Sequence, residues 1–195
     1  KGVHRLHAVR VGYGLESYIP GSTSQNTQNE KLDYFWLSAK YENTGYIPLG
    51  SSFSLGYYIN LQASFKPLLS TYFSTLLEVP VFQPNLVTKA LFMEHYRAYQ
   101  FAAFGVMPVY KFSKQLFAKA EAYTFVPVQE IQRDASDKAY LGSYFTTIKT
   151  LFDASISLVT VAGPVSFHVG YITEEDDPWV LQLSFGYLLF NKRSV

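Results

Sequence analysis

The residues of this chain that could do chemistry are few and dispersed. His4, His7, His95 and His168 are scattered, and Glu174 to Asp177 form the run EEDD. Opposite charges recur in Arg10 and Glu16, Lys40 and Glu42, Lys119 and Glu121, and Lys149 and Asp153. Imidazoles and carboxylates are what a metal site or an acid–base pair requires. His4 and His7, three residues apart in an alternating segment, point to opposite faces of a strand and so do not share a metal. Consecutive carboxylates in a connection project in different directions and stay hydrated, so EEDD reads as a solvated loop. With no Cys there is neither a thiolate ligand nor a disulfide framework. The signatures G-x-S-x-G, G-x-x-x-x-G-K-[ST], H-E-x-x-H and G-x-G-x-x-G do not occur. The expectation is a chain that is not itself an enzyme and holds no cofactor and no metal.

Composition says what these groups are mounted on. The 195 residues are 48% hydrophobic, 17% aromatic and only 16% charged, with sixteen Tyr and sixteen Phe. Flat, stiff rings suit a pleated surface. A net charge of +1, from sixteen basic and fifteen acidic residues, gives no reason to expect nucleic acid as a partner. No run of about 18 apolar residues is present, which excludes a transmembrane helix but not a transmembrane strand. The N-terminal KGVHRLHAVRVGYG has no leader-like apolar region, and beginning inside an alternating segment suggests a fragment.

Period-two alternation recurs along the whole chain and predicts eight strands, at about 3–18, 33–46, 52–65, 96–110, 115–128, 141–160, 164–173 and 178–190. In 52–65, Phe53, Leu55, Tyr57, Ile59, Leu61, Ala63 and Phe65 share one face, and Ser, Gly, Asn and Gln hold much of the other. Long or polar connections (19–32, 66–95, 129–140, EEDD) alternate with short ones (IPLGS, KFSKQ, VAG). In an antiparallel up-and-down sheet this puts tight turns at one rim and long loops at the other, as in outer-membrane barrels. The expected fold is therefore all-β, an antiparallel up-and-down barrel in one domain spanning 1–195.

Alternation alone does not decide which face is core. A soluble barrel turns its apolar side inward, and a membrane barrel turns it to lipid. Most of the strands reach the 9–11 residues that cross a bilayer. Arg10, Lys40, Glu42, Lys119, Lys149 and Asp153 fall on the polar faces, as expected of a lumen where ions pair across neighbouring strands. His168, between Ser166 and Gly170, is expected to hydrogen-bond there, and the glycines of GYG (Gly12 to Gly14) to let a strand bend or another segment approach. The opposite faces carry Tyr13, Phe35, Tyr41, Tyr57, Phe101, Phe167, Tyr171, Trp179, Leu181, Phe185 and Tyr187, the expected lipid side. The other architecture, a soluble barrel around a large apolar ligand, predicts that Tyr57, Leu61, Phe167 and Trp179 converge on one cavity. Residues 66–95 are too apolar for a free loop. They either fold into the lumen or add a pair of short strands at the rim.

The order of these parts resembles a family. AGPVSFHVGY (Ala162 to Tyr171) followed by LQLSFGYLLF is similar to the last two strands of the BamA-like surface-antigen superfamily. LLEVPVFQP followed by TKALFMEHYRAYQFAAFG is similar to the barrel that follows patatin-like phospholipase domains in Gram-negative outer-membrane proteins. The resemblance implies a bacterial outer-membrane location and a transmembrane barrel that anchors, and translocates or positions, an attached module. It implies outer-membrane lipid and the barrel assembly machinery as partners. It implies an inward loop whose Arg97, in YRAY, pairs with Glu121, in KAEAY, and an insertion signal at Phe185, Gly186, Tyr187 and Phe190. The family barrel has sixteen strands, so these eight would close alone, pair with a second copy, or complete an upstream half. The patatin Ser and Asp motifs are absent from this chain, so phospholipase activity would lie in an upstream domain. A pore, with the lumen unobstructed by 66–95, is the third expectation.

Overall fold

A computed structural model describes residues 3–18, 30–161, 163–174 and 177–186. Eight strands form one antiparallel sheet: β1 (Val3–Tyr18), β2 (Glu30–Pro48), β3 (Phe53–Phe65), β4 (Gln100–Lys111), β5 (Leu116–Pro127), β8 (Lys149–Thr160), β9 (Gly163–Ile172) and β10 (Trp179–Phe185), in that spatial order. A separate hairpin, β6 (Gln129–Arg133) with β7 (Ala139–Tyr144), stands between β5 and β8 in the chain. Two short helices, α1 (Tyr72–Glu78) and α2 (Leu86–Lys89), lie between β3 and β4. The connections from β3 to β4 and from β5 to β8 meet one end of the sheet, and those from β2 to β3, β4 to β5 and β8 to β9 meet the other. Among the described residues no pairing joins β1 to β10, which stand at the two ends of the sheet order.

The alternation fixes the register. Lys40 sits opposite Gln62, Glu42 opposite Asn60, Glu121 opposite Asp153, and Ser155 opposite His168. Because side chains alternate across a strand, these pairs place the polar residues of successive strands on one face, here called the inner face. Close packing on this face explains two of the glycines. The Trp36 ring lies over Gly12 and the Tyr123 ring over Gly105, where any Cβ would collide with the ring.

Residues 66–99, the inner segment, cover much of that face. Phe82, Met93, Tyr96 and Ala98 pack with Tyr58, Phe101, Met107, Tyr123, Phe125, Leu151 and Ile172 of the sheet, all buried. The Phe82 ring stacks on Phe125 with centroids 5.5 Å apart, and Phe125 meets Phe101 at 4.9 Å. Aromatic pairs of this kind contribute about 0.5–1.5 kcal/mol each beyond area burial. A second cluster, Tyr72, Leu76, Val79, Tyr99 and Ile131, joins α1 to the β6–β7 hairpin.

Four expectations need correction. Residues 66–95 hold two short helices and an isolated bridge from Val81 to Arg97, not the pair of rim strands that stood as one of the two alternatives. Residues 96–99 belong to the inner segment rather than to β4. The stretch 141–160 is two elements, because Phe145 adopts a left-handed backbone (φ 53°) that turns the chain out of β7 before β8 begins. Phe101 belongs to the inner face, not to the lipid side: it is buried against Phe82.

Candidate functional site

The charged groups that sequence singled out gather where the inner segment meets the sheet. Glu121, in mid-β5, is 4% exposed, and Asp153 directly opposite on β8 is 3% exposed. Two carboxylates facing each other repel, so each needs donors of its own. Glu121 receives Lys119 Nζ at 2.8 Å and Tyr123 OH at 3.0 Å on Oε1, and the Asn85 amide at 3.2 Å on Oε2. Asp153 Oδ1 lies 3.2 Å from His168 Nδ1 on β9. His168 and Asp153 thus meet across neighbouring strands. Lys40 and Glu42 (2.8 Å), like Lys119 and Glu121, instead pair along one strand, where side chains two residues apart share a face.

Asn85 was not foreseen, and it joins the two layers. Its side chain caps α2 by accepting from the Thr88 backbone N–H, while Thr88 returns a bond to the Asn85 backbone. Asn85 Oδ1 is thereby committed to the helix, and its NH2 remains for Glu121. Asn and Thr three residues apart after Pro84, and Thr71 with Ser74 at α1, are capping signals readable from sequence.

Lys149, 5% exposed, sits at the start of β8. Its Nζ donates to the His95 carbonyl at 2.8 Å and pairs with Glu130 Oε1 of the hairpin at 2.5 Å. Partial burial would raise the Glu130 carboxyl, but hydrogen bonds, the one from Lys149 foremost, together with nearby positive charge hold it below its ordinary range. Tyr96 OH reaches the Thr150 carbonyl at 2.7 Å, a further tie between the inner segment and β8. On α1, burial and then its hydrogen bond to Glu94 push the Tyr72 phenol up to about 12.

Arg97 and Glu121 do not meet. Arg97 Nη1 donates to the Leu76 carbonyl at 2.8 Å, and the guanidinium lies 4.7 Å over the Phe92 ring. The end of α1 leaves carbonyls without intrahelical partners, and Arg97 satisfies one of them. Its pKa is lowered, by burial first, with Glu94 acting the other way. Arg10 lies opposite Ser38 on the inner row, where it is exposed.

The outer row is the reverse of this. Trp179, Leu181, Leu183 and Phe185 of β10 are 67–72% exposed. Phe167 is exposed too, and Tyr57 and Tyr171 are half-buried. Tyr57, Leu61, Phe167 and Trp179 all share this outer row rather than an inner cavity. Gly186 has a left-handed φ of 91°, while Tyr187 and Phe190 of the expected insertion signal lie outside the described residues. Glu174 and Asp177 of EEDD are exposed, with the two residues between them outside the described set.

No carboxylate–histidine cluster among the described residues has the makings of a metal site. What the arrangement does is hold: ions and amides tie a helical insert to the inner face of a sheet whose other face is oily. Scans of protein-family models, of curated proteins and of solved structures find no match to this chain.

Proposed function

We propose that this chain is wall and inner segment of an outer-membrane β-barrel, with its outer row in lipid, and that it anchors an attached module at the membrane. The observation that carries this reading is the inversion of burial across the sheet. Glu121, Asp153 and Lys149 are enclosed, while the apolar residues of β10 are about 70% exposed and are continued by Val9, Val11, Phe35, Phe104, Phe152 and Ile156 on other strands. Apolar patches on water-soluble monomers seldom exceed a few hundred Å². In hydrocarbon the same row is solvated, and buried charges are tolerable where they pair within the protein.

The width of the lumen bears on closure. Eight strands leave room inside for little beyond their own side chains. Here a segment with two helices lies against the inner row. A wider barrel accommodates it better, with β1 and β10 pairing strands of an upstream half or of a second copy. Unpaired edges in lipid would cost several kcal/mol per backbone group. That the attached module is patatin-like is what the family resemblance implies.

The two tryptophans supply the test. Trp179 is on the outer row, while Trp36 lies over Gly12 with Lys66 Nζ 4.5 Å from its ring centroid. In vesicles carrying lipid-attached quenchers, Trp36→Phe protein should lose its fluorescence and Trp179→Phe protein should keep it. A chain that stays dispersed without detergent, with Trp179 indifferent to the quencher, overturns the reading.

A further inference from the structure

The β6–β7 hairpin has two unlike sides. Its back is apolar, with Ile131 and Ala139 packed into the cluster around Tyr72 and Leu76 of α1. Its front opens as a pocket of about 710 Å³ bounded by Gln132, Tyr140, Gly142, Tyr144 and Thr147 among others. That size falls within the ~300–1,000 Å³ usual for small-molecule sites.

A register shift shapes the pocket. Ile131 pairs with Leu141 and Gln129 with Tyr144, so Gly142 and Ser143 together stand against Glu130 alone. Such a bulge bends its strand and re-aims side chains, and bulges are over-represented beside functional sites. At the bulge the Gln132 amide lies close over the β7 backbone, since a Cβ on Gly142 would come within 3.0 Å of Gln132 Nε2. Gln129 Nε2 steadies the same stretch by donating to the Gly142 carbonyl at 2.9 Å.

The lining says what fits. Glu130 is its one charged residue, and Lys149 already pairs with that carboxylate, so neither an anion nor a cation finds an uncompensated partner. A plain hydrocarbon is no better matched, because Tyr140, Ser143, Tyr144, Thr146 and Thr147 all bring hydroxyls. The Tyr140 and Tyr144 rings are 45% and 67% exposed, and among the described residues no side-chain hydrogen bond engages either of them or Gln132. A sugar has the complementary parts. Its ring C–H groups, polarised by the neighbouring oxygens, suit the negative face of an aromatic ring. Its hydroxyls each donate and accept, as an amide and a set of hydroxyls require.

We propose that this pocket binds a short neutral oligosaccharide, its ring faces against Tyr140 and Tyr144 and its hydroxyls bonded to the Gln132 amide and the surrounding hydroxyls. The site lies on the hairpin, outside the eight-stranded sheet, and so does not rest on the membrane reading.

The test passes the full chain, in a detergent without a sugar head group, over an array of neutral glucan, galactan, mannan and N-acetylglucosamine oligomers beside sialylated and phosphorylated glycans. A neutral glycan should be retained and displaced by the same oligosaccharide free in solution. Tyr140→Ala and Tyr144→Ala should each weaken binding about threefold to tenfold, the range for one aromatic contact. Gln132→Ala should weaken it about fivefold, as for one hydrogen bond. None of the three belongs to a buried cluster, so the thermal midpoints of the variants should match the parent. Retention of no glycan, or of acidic glycans alone, overturns the proposal, and so does retention that all three changes leave untouched. If phosphatidylcholine vesicles shield Tyr140 and Tyr144 from hydroxyl-radical oxidation and no oligosaccharide does, the site is overturned in favour of a lipid-interface anchor.

Discussion

The Asn85 amide donates to Glu121 Oε2 at 3.2 Å, so the cap of a four-residue helix is also the contact that fastens it to mid-strand β5. A helix that short has no independent stability in water. Its place is set by the cap and by the wall. Asn85→Ala removes a bond to a buried carboxylate, about 1.5–3 kcal/mol, and a helix cap, about 1 kcal/mol. Hydrogen exchange of residues 85–91 should quicken while that of β3 and β4 is unchanged. Equal protection in the variant would mean that Phe82 and Tyr96 alone hold the segment.

Docking of the β6–β7 hairpin should depend on pH at both extremes. Glu130 is held below its ordinary value of 4.5 when folded, so its stabilising contribution is whole above that value and is lost as pH falls through the lower, folded one. Tyr72, on the helix that packs against the hairpin, is raised from 10.0 to about 12. Its contribution is whole below 10.0 and is lost as pH rises towards about 12. Exchange protection of residues 129–144 followed against pH should fall at both ends, and Glu130→Gln should flatten the acid arm alone.

Gly105 lies under the Tyr123 ring, whose hydroxyl is bonded to Glu121. Gly105→Val forces the ring aside and strains that bond, an overpacking cost of about 1–3 kcal/mol. Denaturant midpoints should drop accordingly. Gly50, with open space around it, is the matched control, and Gly50→Ala should be close to neutral.

Phe104 is exposed on the outer row of β4, opposite Ile59. In water, replacing an exposed side chain changes stability by about 0.5 kcal/mol or less. Facing the middle of a bilayer, Phe104→Arg should cost about 2–4 kcal/mol of insertion free energy. Folding titrations into short-chain lipid vesicles measure the difference, and an unaffected variant would argue for a water-facing row.

Strands were legible because a period of two repeated over ten or more residues is a strong signal, as in Phe53 to Phe65. α1 and α2 were not, since seven and four residues are too few turns to establish a period of 3.6. β6 was hidden because its five residues, Gln129–Arg133, are mostly polar and alternate little. Parity alone puts the inner charges on one face. Their partners were not all recovered, because parity says which face a lysine occupies and not that Lys149 will meet a hairpin folded back from residue 130. The Arg97–Glu121 pair that the resemblance implies is not formed, because the partners of Arg97 are carbonyls, which no side-chain pattern records.

The Ser64 backbone N–H donates to the Tyr99 carbonyl at 2.8 Å, just where the chain leaves β3 and re-enters at β4. The two strands would therefore stay in step if everything between those stems were excised and bridged by a tight turn. What residues 66–98 add is cover for the inner face, while the step between β3 and β4 is set at their stems.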